Sequence, residues 1–409
     1  MSQQTFTYVC ETCGRECPIE PGTMLCSTCR EKDIQGKPLK GVLKVKLPAS
    51  LANSRAGIRE LNVHDFLPVE KEYFPPLPVG NTPLVNATNV GRKLGLEKLF
   101  LKFDGANPTG SLKDRASYLV SAFAKKNHIK QIVVASTGNA ASSMAGVAAS
   151  ADQKAIIVMP SSAPRAKLVQ CLQYGATLIP IHGDYDAAFD LSLKISERTG
   201  YLNRNTAYNP LTIEGKKTVS FELVRDVAGR NIDYVFISVG DGVILSGVIK
   251  GFFDLQFIGA IKSIPKIVGV QAEGSSFIHT AFHQGKFDLS YKATTMADSI
   301  SVNAARNGYT AVSDLKKVNG DVMLVSDKEI LEAQLQLSSS SGLFCEPSSA
   351  AAFAGLVKMK KEIQDDAMVV VLLTGHGLKD IESATKSVLF PKTYEPNIDI
   401  ILPLIGASK

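Results

Sequence analysis

The sequence predicts an α/β protein: two parallel-sheet domains with helices on both faces, preceded by a small cysteine-rich unit. Three observations predict it. Short runs of Val, Ile and Leu alternate with helix-period segments from Leu84 onward. Those runs are apolar throughout, as strands buried on both faces are. The first 40 residues carry two Cys-x-x-Cys pairs and no helical period. A length of 409 residues suits two or three domains.

The cysteine-rich unit comes first. Cys10-x2-Cys13 and Cys26-x2-Cys29 stand twelve residues apart. Each pair can form a knuckle, and four thiolates close a tetrahedron, so the spacing reads as a small zinc ribbon over residues 1–40. Pro18, Pro21 and Gly22 suit a hairpin between the pairs, and Cys17 is a spare thiol. Four protein ligands leave no open position, so the metal would be structural. Cys171 and Cys345 read as ordinary buried small residues. A basic, irregular stretch follows, ending at Phe74-Pro75-Pro76-Leu77-Pro78, where the prolines argue for an extended connector.

Strands are then expected at Leu99–Phe103, Gln131–Ala135, Ala155–Met159 and Thr177–Pro180. Helices are expected at Leu112–Lys126, Ala140–Ser150, Pro164–Tyr174 and Tyr185–Thr199. A second series places helices at Ile213–Asp226, Val243–Phe257, Lys328–Leu337 and Ser348–Glu362. Its strands are Tyr234–Val239, Lys266–Gln271 and Met368–Leu373. Two α/β bodies with a cleft between them follow.

Charge and hydropathy exclude some partners. The net charge of +6 is spread over 45 basic and 39 acidic residues. The short clusters Lys358–Lys361 and Lys125–Lys126 read as solvated helix faces. In the ribbon, Arg15, Arg30 and Lys32 are offset by Glu11, Glu16, Glu20, Glu31 and Asp33, so no nucleic-acid partner is expected. Residues 1–9 lack a leader pattern. The longest apolar runs fall far short of the ~20 residues that span a bilayer, so a soluble, cytoplasmic protein without a membrane partner is expected.

Four segments carry chemistry. In Asn107–Arg115 a glycine-bearing turn leads into a helix whose first turn holds Lys113. The positive end of the helix dipole disfavours a charged lysine there, which leaves the neutral amine as a nucleophile. In Ser136–Ser143 a strand end opens a helix, and backbone amides with the hydroxyls of Ser136 and Thr137 make an anion site for a substrate carboxylate. Asn139 of that loop can hydrogen-bond a phenolic oxygen. In Val239–Gly247 a glycine turn again opens a helix, and a phosphate there would collect backbone amides. Asp241 is awkward beside a dianion and is expected to cap the following helix, pointing away. In Leu372–Asp380 a buried strand ends in Thr374, whose hydroxyl can bond a pyridine nitrogen without protonating it. His376 reads as a loop residue rather than a base, and Glu346 as an acid near the cleft.

Taken in this order, these segments resemble the fold-type-II pyridoxal-phosphate (PLP) enzymes, most closely the threonine synthase family. The resemblance runs from about Pro78 to Ser387. It implies that Lys113 holds pyridoxal 5'-phosphate as a Schiff base and that Asn139 meets its O3′. It implies that Gly240, Asp241, Gly242, Val243 and Ile244 cradle its phosphate, and that Thr374 meets its ring nitrogen. It also implies a homodimer and a small domain (106–208) nested in a larger one (41–105 plus 209–390), with a C-terminal tail at 391–409. The implied reaction converts O-phospho-L-homoserine and water to L-threonine and phosphate. Lys113, displaced by the substrate amine, would take the α-proton and then a β-proton. Three places depart from the family pattern. Ala140 stands where a hydroxyl residue is usual, Thr212 where many members have an arginine for the substrate phosphate, and GDGVI where GNAGN is frequent. A β-replacement or ammonia-lyase enzyme on another amino acid, similar to cysteate synthase or a serine or threonine dehydratase, is therefore the alternative.

Overall fold

The computed structural model describes residues 5–31, 37–54, 61–163, 165–288 and 291–406, with residues 165–167 as backbone only. Lys32, Asp33 and the expected helix start Pro164 lie outside the described residues, as do the first four residues of the expected ribbon.

The chain opens with β1 (Thr7–Cys10), β2 (Glu16–Cys17), α1 (Ser27–Arg30) and β3 (Leu43–Lys46). These strands form an antiparallel sheet in the order β2-β1-β3. The β3 strand falls in the stretch expected to be irregular. Its four residues, Leu43-Lys44-Val45-Lys46, alternate apolar and basic, but the run is short, and Lys44 is nonetheless buried and paired with Asp314 at 2.6 Å.

Next come β4 (Leu84–Asn86), α2 (Thr88–Leu94), β5 (Lys98–Phe103), α3 (Lys113–Lys126), β6 (Gln131–Ala135), α4 (Asn139–Ser150) and β7 (Lys154–Pro160). They are followed by α5 (Arg165–Gln173), β8 (Thr177–Ile181), α6 (Tyr185–Thr199), β9 (Leu202–Asn203) and α7 (Leu211–Asp226). The chain continues through β10 (Tyr234–Ser238), α8 (Val243–Phe257), β11 (Lys266–Ala272), α9 (Phe277–Gln284), α10 (Gly308–Lys317) and β12 (Asp321–Val325). It closes with α11 (Asp327–Ser341), α12 (Pro347–Met359), β13 (Met368–Leu373), α13 (Ile381–Thr385) and α14 (Ile398–Leu404).

Two further sheets result. One has six strands in the order β12-β11-β10-β13-β5-β4, parallel except for β4. The other has four parallel strands, β8-β7-β6-β9, all lying in sequence between β5 and β10. Both faces of the six-stranded sheet are buried. Val369, Val371 and Leu373 of β13 pack into one apolar cluster, while Met368, Val370 and Leu372 pack into another. This accounts for the continuous apolar run.

Helix α11 runs four residues past its expected end. Its serines stay helical because Ser338 and Ser341 return their hydroxyls to the carbonyls of Gln334 and Leu337, at 2.8 and 2.7 Å. Gly342 then stops it in the left-handed conformation. At the other end Ser326 and Glu329 form a capping box.

Close helix packing sets the two motif-bearing helix starts side by side. At Gly215 of α7 a Cβ would lie 2.3 Å from the carbonyl oxygen of Arg115 on α3, and at Gly251 of α8 one would lie 2.5 Å from that of Lys217. Beneath this stack Arg115 joins Asp104 at 2.6 Å and Glu222 at 2.5 Å, and Lys102 joins Glu222 at 2.8 Å. Every member of this network is buried.

Candidate active site

A cavity of about 350 Å³ lies at the carboxyl ends of β6, β9, β10 and β13, where open α/β sheets hold their ligands. Lys113, Ser136, Thr137, Asn139, Gly240, Asp241, Gly242, Ile244 and Thr374 all line it. Among the expected residues Val243 does not line it; its side chain is buried and its amide is taken up by Asp241.

Lys113 is the first residue of α3. The helix start is fixed by a hydrogen bond from the Leu112 amide to the Thr374 carbonyl at 2.8 Å, which ties Lys113 to the end of β13. Burial pushes the Lys113 amine below its ordinary pKa. The carboxylate of Asp241 opposes that shift, and the guanidinium of Arg204 adds to it. Thr374 shares a hydrogen bond of 3.0 Å with Ser349, which also accepts from the Gly375 amide.

The loop before α4 is held by Ser136, whose hydroxyl accepts from the amides of Gly138 and Ala141, both at 3.2 Å. Asn139 donates its side-chain amide to both carboxylate oxygens of Glu346 at 3.0 Å and to Ser299 at 3.1 Å. Glu346, given only a place near the cleft by sequence, thus orients Asn139.

Asp241 accepts from the amide of Val243, the first residue of α8, at 3.0 Å, while the N-cap position itself is Gly242. Asp241 does not point away: it lines the cavity. Burial would raise its pKa, but the charges of Lys113 and Lys216 outweigh this and hold the carboxyl below its usual range. Gly242 must be glycine. Its φ is +88°, and a Cβ would lie 2.7 Å from Ala311. Asn307 pins this turn, donating to the Gly242 carbonyl at 3.2 Å and to Ser246 at 2.8 Å.

His376 stays out of the cavity and caps its own turn, with Nδ1 accepting from the Leu378 amide at 3.1 Å. Thr212 turns back into its helix, donating to the Asn209 carbonyl at 2.8 Å, and does not reach the cavity. Arg204 and Arg306 line the cavity without having been anticipated. Arg204 follows a two-residue strand too short to show a period. Arg306 pairs with Asp186 and lies over the Phe189 ring at 4.8 Å, contacts made far along the chain.

Outside the cavity, the sulfurs of Cys10, Cys13, Cys26 and Cys29 lie within 4.8 Å of one another. Cys10 and Cys29 are 3.9 Å apart, and Cys13 and Cys26 are 3.8 Å apart. A tetrahedron with metal–sulfur bonds of about 2.3 Å has edges of about 3.8 Å, so the four thiols are spaced as ligands of one ion. Cys17 is not part of the cluster.

A lysine at a helix start, an anion loop at a second helix and a glycine turn at a third define an α/β enzyme built around a phosphorylated cofactor. The chain belongs to the pyridoxal-phosphate-dependent enzymes, whose family description, "Pyridoxal-phosphate dependent enzyme", matches residues 76–375. Within that class its relatives are threonine synthases. The Methanocaldococcus jannaschii enzyme is 34% identical over 82% of this chain and 84% of its own. The Synechocystis enzyme is 35% identical over 82% of this chain and 89% of its own. Solved structures share the fold. Processed threonine deaminase isoform 2 from Solanum lycopersicum matches with a TM-score of 0.66 at 24% identity, covering 76% of this chain and 89% of that one. Maize serine racemase matches with a TM-score of 0.63 at 23% identity, covering 73% and 88%.

The residues present fit the cofactor. Lys113 offers an amine of lowered pKa and Thr374 a hydroxyl. Three buried polar groups, Ser238 Oγ, Arg204 Nη1 and Lys216 Nζ, have no hydrogen-bond partner among the described residues. Orphaned groups of this kind call for a ligand.

Proposed function

We propose that this enzyme is a threonine synthase, converting O-phospho-L-homoserine and water to L-threonine and phosphate. The observation that carries the reading is the single cavity shared by Lys113, the Ser136–Asn139 loop and the Gly240–Ile244 turn, in a chain about one-third identical to threonine synthases. Bound pyridoxal phosphate supplies an electron sink that makes the α- and β-protons of an amino acid labile. Lys113 would hold it through Nζ and, once freed, take the α-proton and then a β-proton; a depressed pKa suits that work. Asn139, steadied by Glu346, would face the ring hydroxyl. Thr374 would face the ring nitrogen and, being a hydroxyl rather than a carboxylate, leave it unprotonated. Ser136 and Thr137 would take the substrate carboxylate, and Gly240–Ile244 the cofactor phosphate.

Lys113→Ala should abolish both the visible absorbance of the bound cofactor and threonine formation. Phosphate and threonine released together from O-phospho-L-homoserine support the reading. A second reading rests on Thr212, which offers the leaving phosphate nothing. If the enzyme instead releases ammonia and a keto acid from serine or threonine, or replaces a β-substituent, it belongs with the dehydratases or the replacement enzymes.

We further propose a structural zinc ion on Cys10, Cys13, Cys26 and Cys29. One zinc per chain by elemental analysis, lost together with thermal stability on chelation, is the expected result; purified protein free of metal refutes it. The domain division proposed is a ribbon over residues 1–40, a larger domain of 41–105 plus 209–390, a nested domain of 106–208, and a tail from 391, with the ribbon's boundary moved to Lys46 because β3 pairs with β1. Among the described residues no helix is long and apolar enough to cross a membrane; a cytoplasmic location is proposed. Leu389 and Phe390, at the end of the larger domain, are 98% and 78% exposed, and a homodimer is proposed, to be tested by light scattering.

A further inference from the structure

Two cations beside the cavity have no part in the function proposed above. Lys216, on α7, is fully buried, and its Nζ has no hydrogen-bond partner among the described residues. It packs on α8: a Cβ on Gly247, in the second turn of that helix, would lie 2.7 Å from the Lys216 Cβ. Burial pushes its amine well below the usual lysine range; the charges of Lys113 and Arg204 add to that, and the carboxylate of Asp241 opposes it. Arg204, also fully buried, stands at the end of β9. Its Nε donates to Ser117 at 3.1 Å and its Nη2 to the Lys113 carbonyl at 3.4 Å, but Nη1 is left without a partner. Burial pushes this guanidinium down to about 10.

Lys216 Nζ and Arg204 Nη1 are buried without hydrogen-bond partners among the described residues, and an anion beside the start of α8 would satisfy both and favour their charged forms. A helix N-terminus can hold a phosphate on backbone amides alone. Here the turn is spoiled for that purpose, because Asp241 places a carboxylate in it and consumes the Val243 amide. A dianion at this turn therefore meets one negative charge and needs positive charge from elsewhere.

We propose that Lys216 and Arg204 form a side-chain clamp for the cofactor's phosphate at the turn Gly240–Gly242, offsetting the carboxylate of Asp241. The proposal deepens the function proposed above and rests on it. The substrate's phosphate is the same chemistry. The packing of Lys216 on α8, the helix that this turn opens, favours the cofactor's.

The test compares the unaltered full-length protein with Lys216→Met, Asp241→Asn and the double variant. Each is titrated with pyridoxal phosphate and with pyridoxal, which lacks the phosphate, and circular dichroism verifies the fold. Lys216→Met should bind pyridoxal phosphate roughly 10-fold more weakly, with pyridoxal binding unchanged. Asp241→Asn, which removes a repulsion, should bind pyridoxal phosphate more tightly and should rescue Lys216→Met. Unchanged cofactor affinity in both single variants overturns the clamp, as does an effect of equal size on pyridoxal. A rise in KM for O-phospho-L-homoserine with cofactor affinity unchanged assigns the cations to the substrate's phosphate and overturns the proposal too. If Lys216→Met does not fold, Asp241→Asn decides alone: no tightening overturns the clamp. An unaltered protein that binds neither compound refutes the proposed function instead.

Discussion

Lys113 owes its chemistry to its surroundings. Removed from water, its amine loses its proton at a lower pH than an exposed lysine. In cofactor-free protein the rate of pyridoxal phosphate capture should therefore rise with pH and level off below the usual lysine range. Asp241 holds that pKa up, so Asp241→Asn should move the plateau to still lower pH, as stopped-flow absorbance would show. Lys113, Asn139 and Thr374 are legible in sequence because each sits where a strand end, a turn and a helix start coincide. Glu346, Arg204 and Lys216 are not, because their roles come from distant segments. Glu346 meets Asn139 across 207 positions of chain, and nothing local marks Lys216 as buried.

Elements were legible in proportion to how much of their burial is continuous. Strands sealed on both faces, such as β6 and β13, carry unbroken apolar runs, and their expected limits coincide with the observed ones. The β3 strand escaped because it is only four residues long, and its burial of Lys44 depends on Asp314, 270 residues away. The span holding α9, α10 and β12 was given no elements although Val322–Val325 is an unbroken apolar run; only two of the five β12 residues are buried. Helix contacts are the least legible feature, since the close approach of α7 to α3 depends on one hydrogen atom at Gly215. Gly215→Ala should force those helices apart, costing about 1–3 kcal/mol, lowering the melting temperature and weakening cofactor binding by displacing Lys113. Gly22→Ala is the control: a Cβ there meets nothing within 4 Å, so the change should stay within about 0.5 kcal/mol.

Across the whole molecule, the buried charges joining β5, α3 and α7 set its response to acid. Burial pushes the Glu222 carboxyl upward, but Arg115 and Lys102 outweigh it and hold the pKa well below the usual range. A carboxyl depressed on folding stabilises the protein above its unfolded pKa, and that stability is lost as the pH falls toward the folded value. Glu222→Gln should thus lose about 3–5 kcal/mol near neutrality, by stranding its partners. The gap from the unaltered protein should shrink under acid conditions, as denaturant titrations at the two pH values would reveal. The cysteine unit was legible as a spacing, yet its attachment was not. Lys44 of β3 pairs with Asp314 on α10, Glu11 with Lys317 at 2.8 Å, and the Leu39 amide with the carbonyl of Arg306, which lines the cavity. Excising the unit would strip Asp314 of its Lys44 partner and release the backbone beside Asn307, which pins the glycine turn. Calorimetry should accordingly register one cooperative transition, with no separate early melting of the N-terminal unit: a piece that resembles an accessory in the sequence is energetically part of the catalytic body.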